Sequence, residues 1–184
     1  MTQIERGTDL HVRRQISDYC VFVLDRVIAD TAITNTVTET TLYTKTVDHS
    51  DINGKVLRLT LAGTYLNNTG ATSSPTLRIK FGSTTIVAPN TLSYTTNASL
   101  RQWRIAFELT SRTTATQELT GVDWWTGASG AISSPSQAQS AMYEGTAAET
   151  TSGEGTKALT VTWQHDAAST NLTITLKTAV LERL

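Results

Sequence analysis

The chain has 184 residues, with 15 Lys and Arg against 16 Asp and Glu, a net charge of −1, one cysteine and 39% hydrophobic residues. That is one domain's length, enough to bury roughly two thirds of the unfolded surface without a disulfide or metal staple. The balanced charge argues against a nucleic-acid or anionic-membrane binder that works by bulk electrostatics, and the longest apolar run, Cys20-Val21-Phe22-Val23-Leu24, falls far short of the ~18 residues of a membrane span.

Threonine makes up about one residue in five, where single residue types usually stay below about one in ten. Its β-branched side chain fits a pleated surface and its hydroxyl keeps an outward sheet face wet, so the expected class is all-β. The start, Met1-Thr2-Gln3-Ile4-Glu5-Arg6, has neither a basic n-region nor an apolar h-region, so no secretory signal is expected and synthesis is expected in a cytoplasm.

In chain order, residues 1–35 read as an N-terminal arm, mixed in charge and without a strict period, with one extended strand near Cys20 to Ile28. From Thr36 the sequence alternates apolar and polar residues between Gly, Asn, Ser and Pro clusters, giving about eight strands in a domain over 36–184. Thr36 to Val47 is the first, closed by Asp48 to Gly54, residues that favour turns. In Val56 to Leu66, Leu57, Leu59, Leu61 and Tyr65 share one face and Arg58, Thr60 and Thr64 the other.

A loop over 67–75 leads to a strand with Leu77, Ile79 and Phe81 inward and Arg78 and Lys80 outward, then a short strand, Thr84 to Val87. Leu100 to Thr110 sets Trp103, Ile105, Phe107 and Leu109 against Gln102, Arg104 and Glu108, and Gln117 to Trp125 is less regular. Residues 126–156 lose the alternation and read as a long loop; Lys157 to His165 and Asn171 to Leu181 read as an antiparallel hairpin. Strands with one apolar face each predict two sheets packed face to face, in a jelly-roll or related Greek-key sandwich.

The residues offer little chemistry. His11, His49 and His165 have no partner at metal-ligand spacing, Cys20 sits in an apolar run, and no nucleophile elbow, phosphate loop or dinucleotide fingerprint is present. Glu39, Glu108, Glu118 and Asp123 are scattered on strands expected to expose most of them, so no acid pair can be named. No catalytic residue, metal or cofactor is assigned, and the chain is expected not to be an enzyme. Arg58, Arg78, Lys80 and Arg104 could line one sheet surface facing an acidic partner, or be ordinary solvated charges.

Asp123-Trp124-Trp125, followed by a segment carrying Tyr143 and Glu144, is the one local cluster suited to a ligand. Adjacent tryptophans on a strand point to opposite faces, so one packs in the core and the other meets solvent, a subunit or a sugar ring. Asp123, Trp125 and Tyr143 are the candidates for a glycan contact. The sequons at Asn67, Asn97 and Asn171 are chance matches in so Thr-rich a chain.

The runs 56–70, VLRLTLAGTYLNNTG, and 76–86, TLRIKFGSTTI, resemble a jelly-roll domain found in virion proteins of tailed bacteriophages. The segments 101–109, RQWRIAFEL, and 159–174, LTVTWQHDAASTNLTI, are similar to later parts of that domain, so the resemblance covers roughly Val37 to Leu184. Such domains occur in capsid decoration (cement) proteins, usually trimers at local threefold positions of the head, and in tail fibres. With the domain filling nearly the whole chain and no stalk, the resemblance implies a homotrimeric decoration protein on the capsid surface of the virion, made in the bacterial host cytoplasm, with the major capsid protein as partner. Arg13, Arg14, Tyr19 and Phe22 of the arm, with Trp124 and Trp125, are the candidates for capsid or subunit contacts. The alternative is a tail-fibre or receptor-binding module that holds a host surface glycan.

Overall fold

The computed structural model describes residues 21–125 and 139–184. Among them are eleven strands: β1 (Phe22–Val27), β2 (Thr31–Thr34), β3 (Thr40–Asp48), β4 (Val56–Asn67), β5 (Thr76–Phe81), β6 (Thr84–Thr91), β7 (Asn97–Thr113), β8 (Thr116–Trp125), β9 (Gln139–Ala147), β10 (Thr156–Gln164) and β11 (Leu172–Arg183). A helical turn, His49–Ile52, joins β3 to β4. The larger sheet runs β1-β11-β4-β7-β8-β9, with β2 also on β11, and the smaller runs β3-β10-β5-β6.

This order is that of a jelly roll. The chain crosses between the sheets at β2–β3, β3–β4, β4–β5, β6–β7, β9–β10 and β10–β11, and each sheet interleaves strands from both halves of the sequence. The β8–β9 pair is an addition that widens the large sheet beyond β7. All the pairings are antiparallel. The all-β sandwich expected from threonine content and alternation is therefore the fold.

Burial follows the alternation. Leu57, Leu59, Leu61 and Tyr65 of β4, Leu77, Ile79 and Phe81 of β5, Ile105 and Leu109 of β7, and Leu159, Val161 and Trp163 of β10 are wholly buried, with Trp103 and Phe107 nearly so. Each fully buried aliphatic or aromatic side chain contributes ~1.5–3 kcal/mol, and these residues form one continuous core.

Two expectations need correction. The last two strands do not form a hairpin: β10 belongs to the small sheet and β11 to the large one. Leu159, Val161 and Trp163 thus meet Leu172, Ile174 and Leu176 across the core, and residues 166–170 arch between layers. Within 126–156, residues 139–147 form β9, paired along its length with β8. Ahead of residue 36, β1 falls where a strand was expected near Cys20 to Ile28, β2 is a second strand, and both pair with β11; residues 1–20 of the expected arm lie outside the described residues.

The two sheets approach at both corners. At one, Asp25 of β1 accepts a hydrogen bond from the Tyr43 hydroxyl (3.0 Å) and faces Lys45 at 3.7 Å, both on β3. At the other, β9 packs on β6 so closely that a Cβ on Gly145 would lie 2.3 Å from the Ile86 carbonyl oxygen.

Candidate functional site

Asp123 stands on β8 in phase with the inward residue Leu119, and its pairing with Ala141 of β9 brings Tyr143 alongside. Asp123 is fully buried and Tyr143 is 5% exposed, and the Tyr143 hydroxyl donates to Asp123 Oδ2. Tyr94 lies close enough that its hydroxyl pKa is raised, by burial first and then by the Asp123 charge. The carboxylate expected to be exposed is thus an interior group that ties β8 to β9. Trp124 and Trp125 are opposite Arg104 and Trp103 in the backbone register of β7 and β8. Arg13, Arg14 and Tyr19 lie outside the described residues.

The other well-buried or well-bonded acids also have structural partners. Glu149, 5% exposed, accepts from Lys157 Nζ (2.8 Å), the Ser83 amide (2.7 Å) and hydroxyl (2.7 Å), and Thr84 Oγ1 (2.9 Å). Lys157 chiefly, with Ser83 and Thr84, outweighs burial and holds its pKa down at about 2. Gly82, at φ +59°, leaves room for that carboxylate: a Cβ there would lie 2.5 Å from Glu149 Cδ. The Gln117 side-chain amide, fully buried, bonds both the N–H and the C=O of Glu149. Together these contacts clamp the segment after β9 onto the β5–β6 turn.

Asp166 accepts from the Ser73 hydroxyl (2.7 Å) and the Ser74 amide. Burial works to raise its pKa, but these bonds prevail and hold it low. Glu39 receives Lys80, Thr162 and Arg78, and Lys80 foremost depresses its pKa.

His165 is 1% exposed, accepts at Nδ1 from the Trp163 indole (3.3 Å) and bonds the Ile33 carbonyl through Nε2 (3.1 Å). Those partners require the neutral ring protonated on Nε2, and burial lowers its pKa. No group of three or more metal-ligating side chains occurs among the described residues.

The four outward cations do not share a surface. Arg78 and Lys80 lie on β5 of the small sheet, while Arg58 of β4 and Arg104 of β7 lie on the large one, where Arg58 bonds Glu108 (2.8 Å). Among the described residues, besides a depression of about 490 Å³ over β8 and β9 lined by Glu118, Leu119, Thr120, Glu144, Gly145 and Thr146, two features of the large sheet are candidates for contact with a partner. The first is its edge at β1, where Val21 and Val23 are 55% and 59% exposed and Phe22 carries the Arg183 guanidinium 4.4 Å above its ring. The second is a depression of about 390 Å³ on the outer face, lined by Ala62, Gly63, Thr64, Gln102, Arg104 and Lys177, with Trp103 beneath.

The depression has a local cause. The register of β11 slips between Leu176 and Thr178, so Lys177 is an extra residue in a bulge. Opposite it, Gly63 lets the β11 backbone come in: a Cβ would sit 1.9 Å from the Thr175 carbonyl oxygen and 2.9 Å from Trp103 Cζ2. An isolated glycine inside a strand pattern is the usual sign of such an approach, and Gly63 within LAGTY carried that sign. Nothing in the irregular stretch around Glu149 announced the clamp.

The strand order and the face-to-face sheets define the class as a jelly-roll β-sandwich. No family model matches the chain, and no curated protein does. Among solved structures, the chain is similar to the EclA C-terminal domain, a sugar-binding protein, at 11% identity and TM-score 0.38 over 98% of this chain and 96% of that one. It is also similar to the CBM2 module of the evolved Dit of Lactobacillus casei BL23 phage J-1, at 6% identity and TM-score 0.34, over 71% and 62%. A third likeness is to infectious bursal disease virus, Gx strain, at 11% identity and TM-score 0.30, over 90% of this chain and 42% of that one. At these scores the fold assignment rests on the strand order itself.

Proposed function

We propose that the chain is a non-enzymatic virion structural protein, a homotrimeric capsid decoration protein that attaches to the assembled head of a tailed phage and stabilises it. The observation that supports this reading is that the segments resembling virion jelly rolls come together in one jelly roll: β4 beside β7 in the large sheet, β5 beside β10 in the small one. The interior carboxylates support the non-enzymatic part, since Glu149 and Asp166 spend their oxygens, and Asp123 its Oδ2, on donors that join one strand or loop to another.

Attachment would then work by mass action and valency. A protein that binds only the expanded lattice stabilises it by RT ln(1 + [L]/Kd), about 2.7 kcal/mol per site at a hundredfold excess over Kd. Three linked copies engage several capsid subunits together and gain avidity without strong single contacts. The β1 edge, with Val21 and Val23 outward, offers an apolar surface and a strand to which a neighbouring copy or the shell can add.

The test is co-sedimentation with purified heads from the encoding phage, stripped of decoration protein. Saturable attachment to expanded heads and none to unexpanded ones supports the proposal. Absence of attachment to either refutes it.

A further inference from the structure

We propose that residues 10–16, which lie outside the described residues, cover an apolar stripe on the outer face of the large sheet of their own chain. Nothing in this inference rests on attachment to a capsid, so the two can fail separately. The stripe follows from register. Val180, Thr60, Ala106, Val122 and Met142 stand opposite one another on β11, β4, β7, β8 and β9. All five point away from the core, since the residues after them in sequence, Leu181, Leu61, Phe107, Asp123 and Tyr143, are buried. The row holds no charge, and Met142 at its end is 91% exposed. The next row along the strands is Glu182, Arg58, Glu108, Thr120 and Glu144. Arg58 and Glu108 neutralise each other at 2.8 Å, which leaves Glu182 and Glu144 as carboxylates with no ion pair or hydrogen bond among the described residues. The surface is therefore an apolar row flanked by negative charge.

Tether, reach and charge select one occupant. Strand β1 is an edge of this same sheet, so the chain ahead of Val21 starts one strand away from β11, where the stripe begins. The chain from Val21 back to Leu10 spans up to ~36 Å. Met142, at the far end of the stripe, is five strand spacings across and five residues along from Val21, about 30 Å. A segment held this close meets the stripe at an effective concentration on the order of millimolar, which any separate partner has to outcompete. Its chemistry fits both rows. Residues 10–16 contain Leu10, Val12 and Ile16 with Arg13 and Arg14, and no carboxylate. The apolar side chains lie along the stripe and the two guanidiniums fall beside the acidic row, where opposite charge fixes the register of the contact.

The experiment places a nitroxide on the full chain at Thr8→Cys, in a Cys20→Ser background that removes the sole native cysteine, and reads amide intensities by NMR. Amides of Thr60, Ala106 and Met142 should lose intensity several-fold relative to the reduced label, and those of Arg78 and Thr160, on the outer face of the small sheet, should keep theirs. Val122→Lys, and separately Arg13→Glu with Arg14→Glu, should restore most of the lost intensity; Thr46→Lys, exposed on β3, should restore none. Amide spectra of each variant establish that it is folded. A sample refolded from nitroxide-bearing chains without ¹⁵N and ¹⁵N chains without nitroxide should show no loss. No loss at Ala106 and Met142, equal loss on both sheets, loss that both folded docking variants leave unchanged, or loss in the mixed sample, which would put the segment on a neighbouring copy, would each overturn the proposal.

Discussion

Replacing Glu149 by Gln keeps the shape of the side chain and removes the charge that four donors address. Its pKa is drawn from 4.5 to about 2, a shift that corresponds to about 3 kcal/mol of linkage. The carboxylate lies just beneath the surface beside a Lys157 side chain that is 28% exposed, so screening by water brings the expected loss to about 2 kcal/mol. The sign follows from the direction of the shift. A carboxyl whose folded pKa is depressed contributes its full stability above the unfolded value near 4.5, and loses it as pH falls through the folded value near 2. Urea unfolding of the wild type and Glu149→Gln should therefore differ by about 2 kcal/mol at pH 7, and the gap should close between pH 4.5 and 2. Other titrating groups are common to both proteins and cancel in the difference. A gap that stays constant over that range, or no gap at pH 7, would refute the clamp as an electrostatic device.

Other predictions address packing, loops and assembly. Gly63→Ala should cost at least about 3 kcal/mol, because the new Cβ falls 1.9 Å from backbone that cannot move alone; a melting temperature within about 2 °C of wild type would contradict the close approach. Asp166→Asn should destabilise by about 1–2 kcal/mol near neutral pH, through loss of charge-assisted bonds to Ser73 and Ser74, and the loss should shrink as pH falls through the depressed carboxyl pKa. Denaturant titrations at several pH values read it out. Val23→Lys, at a site 59% exposed, should leave the fold intact and shift the mass measured by light scattering from that of the proposed trimer to that of a monomer; a mass unchanged from wild type would remove β1 from the proposed subunit interface.

Much of the sandwich was legible because period-2 alternation is dictated by burial on one face. In β4, β5 and β7 the residues expected inward are those that the structure buries. The pairing of β10 was not legible, because its apolar residues meet those of β11 equally well side by side in one sheet or across the core, and a five-residue connection serves either arrangement. The slip in β11 was written in its spacing: Leu172, Ile174 and Leu176 are followed by Ala179 and Leu181, a change of phase at Lys177. Strand β9 hid because Tyr143 and Ala147 are its clearly buried hydrophobic residues, with Gly145 placed between them to admit the Ile86 carbonyl. The functional surface was the least legible part. Asp123 reads as a surface acid until the inward phase of β8 and the hydroxyl of Tyr143 are seen together, and the marks left by Gly63 and by the phase change at Lys177 lie on separate strands whose pairing the sequence does not show.

The central claim is that this jelly roll stabilises an assembled head. It is tested most directly by calorimetry of expanded heads with and without saturating protein. The account predicts a rise of several degrees in the head's melting temperature that saturates with a fixed stoichiometry of bound trimers; an unchanged melting temperature at concentrations that saturate any binding would contradict it.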